Sequence, residues 1–227
     1  MTPFQKVSPL GTLPKIETMT LVAEKQKSKL SPKYDLVFET LNGKPFYRKG
    51  YRDVLKGRKT IEDIMPCSSL QWVVVEYLLK TIFRFIDDNQ YWVATNEAGL
   101  HLEKNDNTGN DIAIYSQEVL PPEKISVHYA DVPPKIIIEV EIKVELEDMS
   151  VAEYLEMRIN HLLDFGVEKV IWVLTKSQKI VVGRQGHPIE AFGWGEDIEI
   201  MDGHTFNVKK YLKAKRIPFI EREEKEN

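Results

Sequence analysis

Between Lys135 and Lys143 the chain reads Lys-Ile-Ile-Ile-Glu-Val-Glu-Ile-Lys, an apolar run that turns charged at its C-terminal end. Read as a β-strand, its alternation sends Ile136, Ile138, Val140 and Ile142 to one face and Ile137, Glu139, Glu141 and Lys143 to the other. Two carboxylates and an ammonium group then converge on one patch. Burying charge is costly unless the groups are paired or bind a cation, so a strand that only packs has no use for such a cluster. The simplest use is a divalent-metal site.

Upstream, Gly109-Asn110-Asp111-Ile-Ala-Ile-Tyr115 opens with a turn signal and runs into an alternating apolar segment, which places Asp111 at the start of a strand. The pair formed by Asp111 and Glu141-Ile142-Lys143 on consecutive strands resembles the PD-(D/E)XK nuclease-like superfamily. That resemblance implies that Asp111 and Glu141 supply hard oxygen ligands to Mg²⁺ (or Mn²⁺), an ion that keeps several waters and needs one or two carboxylates plus substrate phosphate. It also implies a catalytic set of Asp111, Glu139, Glu141 and Lys143, with Glu139 as accessory ligand or base. Lys143 would orient the attacking water or stabilise developing charge.

The order of elements around the motif is specific. Pro133-Pro134 precedes the strand and the acidic turn Glu145–Asp148 follows it. Ser150 is an N-cap with Glu153 as its capping-box partner, and the helix runs to a C-cap at Gly166. Val167–Leu174 then reads as a buried strand, Lys176–Lys179 as a turn and Ile180–Val182 as the hairpin partner. This succession, from about Tyr34 to Leu212, is similar to the Uma-type restriction endonuclease family. The matching stretches are Asn110-Asp111-Ile-Ala-Ile, Pro134-Lys-Ile-Ile-Ile-Glu139-Val and Leu163-Asp-Phe-Gly166-Val-Glu-Lys-Val-Ile-Trp172-Val. Asp202-Gly-His-Thr-Phe-Asn-Val also looks like that family's ending. In many relatives the strand reads Glu-Val-Leu-Ser, which puts the carboxylate at Glu139, whereas Glu141 and Lys143 satisfy the superfamily pattern, so the main ligand stays open between the two glutamates. The implied fold class is α/β, with a restriction-endonuclease-like central mixed β-sheet flanked by helices. The implied function is a Mg²⁺-dependent endonuclease hydrolysing phosphodiester bonds of nucleic acid, DNA first. The alternative is a catalytically silent module of the same fold that binds DNA or a protein partner, in either case open to homodimerisation.

Composition is compatible with this. The 227 residues suit one domain over 31–213, with an arm at 1–30 that lacks periodicity and a charged tail at 214–227. The single cysteine, Cys67, leaves no internal disulfide and suits a reducing cytoplasm, and no apolar run is long enough to span a membrane. A net charge of −4 argues against a protein that coats nucleic acid by phosphate neutralisation alone. Local charge differs: Arg48, Lys49, Arg52, Lys56, Arg58 and Lys59 cluster with Tyr47 and Tyr51 among them, which reads either as a phosphate-contacting segment or as a solvated loop.

Tyr34–Glu39 is expected as a first strand with a turn at Asn42-Gly43, and Tyr91–Thr95 and Gly99–Leu102 as a pair of short strands. Ser68-Ser69 caps a helix from Leu70 to about Asp87, apolar nearly all round and therefore expected to be buried on several sides. Glu76 in that helix and Glu97 beside the short strands are candidate accessory acids, each weighed against an ordinary surface carboxylate. Arg158 could reach a scissile phosphate or pair with Glu139 or Asp111. The five histidines show no metal-ligand spacing, and no nucleophilic Ser or Cys motif is present.

Overall fold

The computed structural model describes residues 36–41, 43–104 and 106–219. The expected arm at 1–30 and the end of the tail, 220–227, lie outside the described residues. Ile217 and Phe219 pack against the core, so packed structure extends past 213.

Six strands form the central sheet: β3 (Tyr91–Glu103), β4 (Asp106–Ser116), β5 (Ile136–Val140), β6 (Lys169–Leu174), β7 (Lys179–Arg184) and β8 (Glu190–Gly193), in the order β3-β4-β5-β6-β7-β8. Only β5 and β6 run parallel. A parallel pair cannot be joined by a tight turn, and the crossover is α3 (Val151–Phe165). Its start is the expected capping box of Ser150 and Glu153, and its end is Gly166 at φ +115°. A Cβ at Gly183 on β7 would stand 2.2 Å from Ile159 Cγ2, so the glycine is what lets α3 lie against the sheet.

Both sheet faces are covered. Ala113, Tyr115, Ile137, Val170 and Trp172 pack with Leu155, Ile159 and Leu162 of α3. Ile112, Ile114, Ile136, Ile138 and Val140 pack with Val74, Leu78 and Ile82 of α2 (Ser69–Ile82) and with Val208 and Leu212 of α4 (Val208–Ala214). The protein thus has the expected α/β class, a central mixed β-sheet flanked by helices. A hairpin of β1 (Val37–Leu41) and β2 (Lys44–Tyr47) leads into α1 (Tyr51–Leu55), and a second small hairpin, β9 (Ile198–Met201) and β10 (His204–Phe206), precedes α4. No helix among the described residues is long and apolar enough to cross a membrane.

Several expectations change. The two short strands are one long strand, β3, interrupted by a bulge where Asn96 and Glu97 adopt φ +65° and +55°. Asp111 lies in the middle of β4, whose pairing with β3 begins at Asp106. α2 is buried along one face only: Gln71, Val74, Leu78 and Ile82 follow helical spacing onto the sheet, while Trp72 is 53% exposed. The largest change is at the end of β5. The strand stops at Val140 and Glu141 turns left-handed at φ +74°. Alternation therefore fails, and Ile142 joins Ile137's core rather than that of Ile136, Ile138 and Val140.

Candidate active site

Asp111 and Glu139 stand on the same sheet face, the face of Ala113 and Ile137, because each is two residues along its strand from one of those core positions. The Val140 N–H donates to Asp111 Oδ2 at 2.8 Å, tying the carboxylate of β4 to the end of β5. Beyond the left-handed turn at Glu141 the chain folds back, and Lys143 Nζ reaches Asp111 Oδ1 at 2.8 Å. Lys143 also lies 3.8 Å from Glu97 Oε1, so the β3 bulge brings that acid to the site.

Glu141 goes elsewhere. Its backbone is clamped by β6: its N–H donates to Val173 O at 2.8 Å and its carbonyl accepts from Trp172 Nε1 at 2.9 Å. Its carboxylate accepts hydrogen bonds from the Thr175 hydroxyl and from the Thr175 N–H, the latter at 3.2 Å. The expectation that strand alternation aligns Glu139, Glu141 and Lys143 is thus corrected. Gln71, at the start of α2, donates to Val140 O at 2.9 Å and holds the last carbonyl of β5 from the opposite face.

Beneath the site lies a buried cluster that the sequence reading missed. Glu39 of β1 accepts from the Tyr154 hydroxyl at 2.6 Å and from Thr108 Oγ1 at 3.2 Å, and its Oε2 lies 2.9 Å from Arg158 Nε. Arg158 also bonds Thr108. Its ion-pair partner is therefore Glu39, not Glu139 or Asp111, and at 1% exposure it is shut off from any phosphate arriving from solvent. Glu39 had one legible signal, an acid in the apolar run Val37–Leu41, but its partner is 119 residues further on in another element.

These charges set the protonation of the site. Burial, then the Asp111 carboxylate, pushes the Glu139 carboxyl up to about 8, with Lys143 and Arg158 pulling the other way. Burial works to lower the Lys143 ammonium, but the charges of Glu139 and Asp111 outweigh it and hold the group above the usual lysine range.

The site opens into a cleft of about 480 Å³ whose walls include Glu97, Asp111, Glu141 and Lys143 together with Arg48, Lys49 and Lys59. The basic segment is stitched to the motif by backbone: Lys49 N–H donates to Lys143 O at 2.9 Å, and Arg48 bridges to Val144. Apart from Lys59, its other members do not line the cleft. Arg52 pairs with Glu147 at 2.7 Å, Arg58 with Asp53 at 3.0 Å, and Lys56 is exposed outside the lining. Glu76 does not join the site; it pairs with Lys80 at 2.6 Å on the outer face of α2.

The donor chemistry suits a hard divalent cation: two carboxylates from adjacent strands on one face, with an acidic bulge residue nearby. Among the described residues, no group of three or more His, Cys, Asp or Glu is already arranged to hold a metal. A cation here would compete with Lys143 for Asp111.

No family model matches the chain, and no curated protein does. Among solved structures, the protein is similar to one described as "a putative nuclease belonging to DUF820" from Anabaena variabilis ATCC 29413, with a TM-score of 0.56 and 16% sequence identity over 77% of this chain and 89% of that one. At that identity the likeness establishes the fold.

Proposed function

We propose that the protein is a metal-dependent endonuclease that hydrolyses phosphodiester bonds of nucleic acid, DNA in the first instance, and that it belongs to the Uma-type branch of the PD-(D/E)XK superfamily. The observation that carries this reading is the meeting of Asp111 and Glu139 on one sheet face, with Lys143 folding back onto Asp111, below a cleft walled by Arg48, Lys49 and Lys59. The fold's likeness to a protein described as a nuclease supports it. Bound Mg²⁺ or Mn²⁺ would polarise the phosphodiester and supply an acidified water.

We assign Glu139, rather than Glu141, as the main carboxylate beside Asp111, because Glu139 shares Asp111's sheet face and feels its charge, whereas Glu141 Oε2 takes both hydrogen bonds from Thr175. Asp111 is pre-oriented by the Val140 N–H and lines the cleft. The Lys143 ammonium, kept charged by both carboxylates, would stabilise negative charge developing on the phosphoryl oxygens. Lys49 and Lys59 attract and hold the backbone phosphates.

The test is supercoiled-plasmid cleavage with Mg²⁺ or Mn²⁺ beside a chelator control, run on the parent and on Lys143→Ala. Metal-dependent nicking by the parent that Lys143→Ala loses supports the reading; equal rates for both overturn the mechanism. The silent-module reading has its own support, since both Asp111 oxygens already have partners. It takes over where both proteins bind metal and nucleic acid and neither cuts.

A further inference from the structure

We propose that the preferred substrate is single-stranded or locally unpaired nucleic acid, because the cleft continues into an apolar trough shaped for a base turned out of its stack. The inference rests on the function proposed above and names its substrate class.

Beside the charged cleft lies a second cavity of about 680 Å³, lined by Ile142, Val144, Leu146, Val151 and Leu174. The two share Lys49, Glu141, Ile142 and Lys176, so they are two halves of one trough with both lysines at the joint. Lys49 starts from a backbone fixed to Lys143 O, which anchors a cation next to the carboxylate site. The Glu141 carboxylate at the same joint is turned into Thr175, which spreads its charge over two donors. Past that point the wall is mainly aliphatic, with Glu145 and Ser177 also lining it, and Val151 is 48% exposed.

A closed duplex presents phosphate and sugar outward and keeps its base faces stacked inside, so it offers an aliphatic wall nothing apolar to cover. A single strand exposes base faces, which rest on apolar or aromatic surfaces while the backbone follows cations. Extruding a base is easiest where it is already unpaired. Phosphate at Lys49 and Lys176 with the adjacent base against Ile142, Val144 and Leu146 satisfies both halves of the trough. An apolar peptide or lipid chain would satisfy only one.

The test is fluorescence anisotropy with one labelled oligonucleotide, presented as a single strand and as a blunt duplex, in chelator so that nothing is cut. Single-strand binding about tenfold tighter than duplex binding at equal salt is expected. The double variant Val151→Asn, Leu146→Asn adds no charge and changes residues outside the carboxylate site. With its melting temperature checked against the parent, it should lose most of that preference and leave duplex binding unchanged. Duplex binding as tight as single-strand binding, or an unchanged preference in a folded double variant, overturns this proposal, as does plasmid cleavage with no preference for single strands, while leaving the endonuclease reading intact. Binding of neither form, with no cleavage, overturns both.

Discussion

Glu139 is held as a buried acid whose carboxyl is pushed from an ordinary 4.5 up to about 8. In the unfolded chain the group ionises near 4.5, so between that value and about 8 the native state holds a proton that the unfolded state has lost. Stability of the metal-free protein therefore falls as pH rises through that window and levels off above it. Glu139→Gln should flatten the slope, which thermal melts across the window would read; an unchanged slope would remove Glu139 as its source. A cation at the site must displace the same proton, so Mn²⁺ binding should tighten toward pH ~8 with proton release, measurable by calorimetry in buffers of different ionisation enthalpy. Asp111→Asn should weaken Mn²⁺ binding at least about tenfold by removing a charged oxygen ligand. Glu141→Gln should weaken it less, because Glu141 is spent on Thr175. Lys143→Ala should keep the fold and the metal and lower cleavage about 10²–10³-fold, the scale of one lost charge-stabilising group.

At the level of elements, the site depends on how β5 ends and on what lies beneath it. Val173, Trp172 and Thr175 of β6 and its following turn hold Glu141 in the left-handed conformation that sends Lys143 back to Asp111. α3 and β1 meet at Glu39, Tyr154 and Arg158, where a wholly buried ion pair is hydrogen-bonded on both sides. Removing one partner leaves the other charge uncompensated. Arg158→Ala should therefore destabilise the fold by about 3–5 kcal/mol in chemical denaturation, far more than an exposed ion pair such as Arg58–Asp53, whose loss should cost about 1 kcal/mol or less. A small effect at Arg158 would mean that the cluster is not holding α3 to β1.

Across the whole molecule, a net charge of −4 coexists with a cleft walled by Arg48, Lys49 and Lys59. Long-range repulsion of a polyanion and local attraction then act together, so binding should be strongly salt-dependent and confined to the cleft. Lys49→Ala should weaken binding and reduce the slope of log K against log salt by about 0.7–0.9, the release of one counterion, and Lys59→Ala should do so by less, because its ammonium lies 3.9 Å from Asp53. Arg52→Ala and Arg58→Ala should leave the slope nearly unchanged, since Glu147 and Asp53 already neutralise those side chains. A salt titration of the four variants separates the cations that line the cleft from those outside it.

The local signals of the sequence were enough for the frame: Ser150 and Glu153 cap α3, Gly166 ends it, and the succession of β5, α3, β6 and β7 follows from periodicity and turn residues. Asp111 and Lys143 were also legible as candidates, because charge at the end of an apolar run has few structural uses. Which groups meet was decided only in three dimensions. Alternation assumes an unbroken strand, and the break falls on Glu141, a non-glycine residue that nothing in its neighbourhood marks for a positive φ. The clamp that imposes it comes from Trp172 and Val173, on a parallel strand reached through a whole helix. Glu39 and Arg158 are joined in the same way, by packing between elements distant in sequence, and that packing, rather than any local pattern, turned the Arg158 guanidinium away from the cleft and into the core.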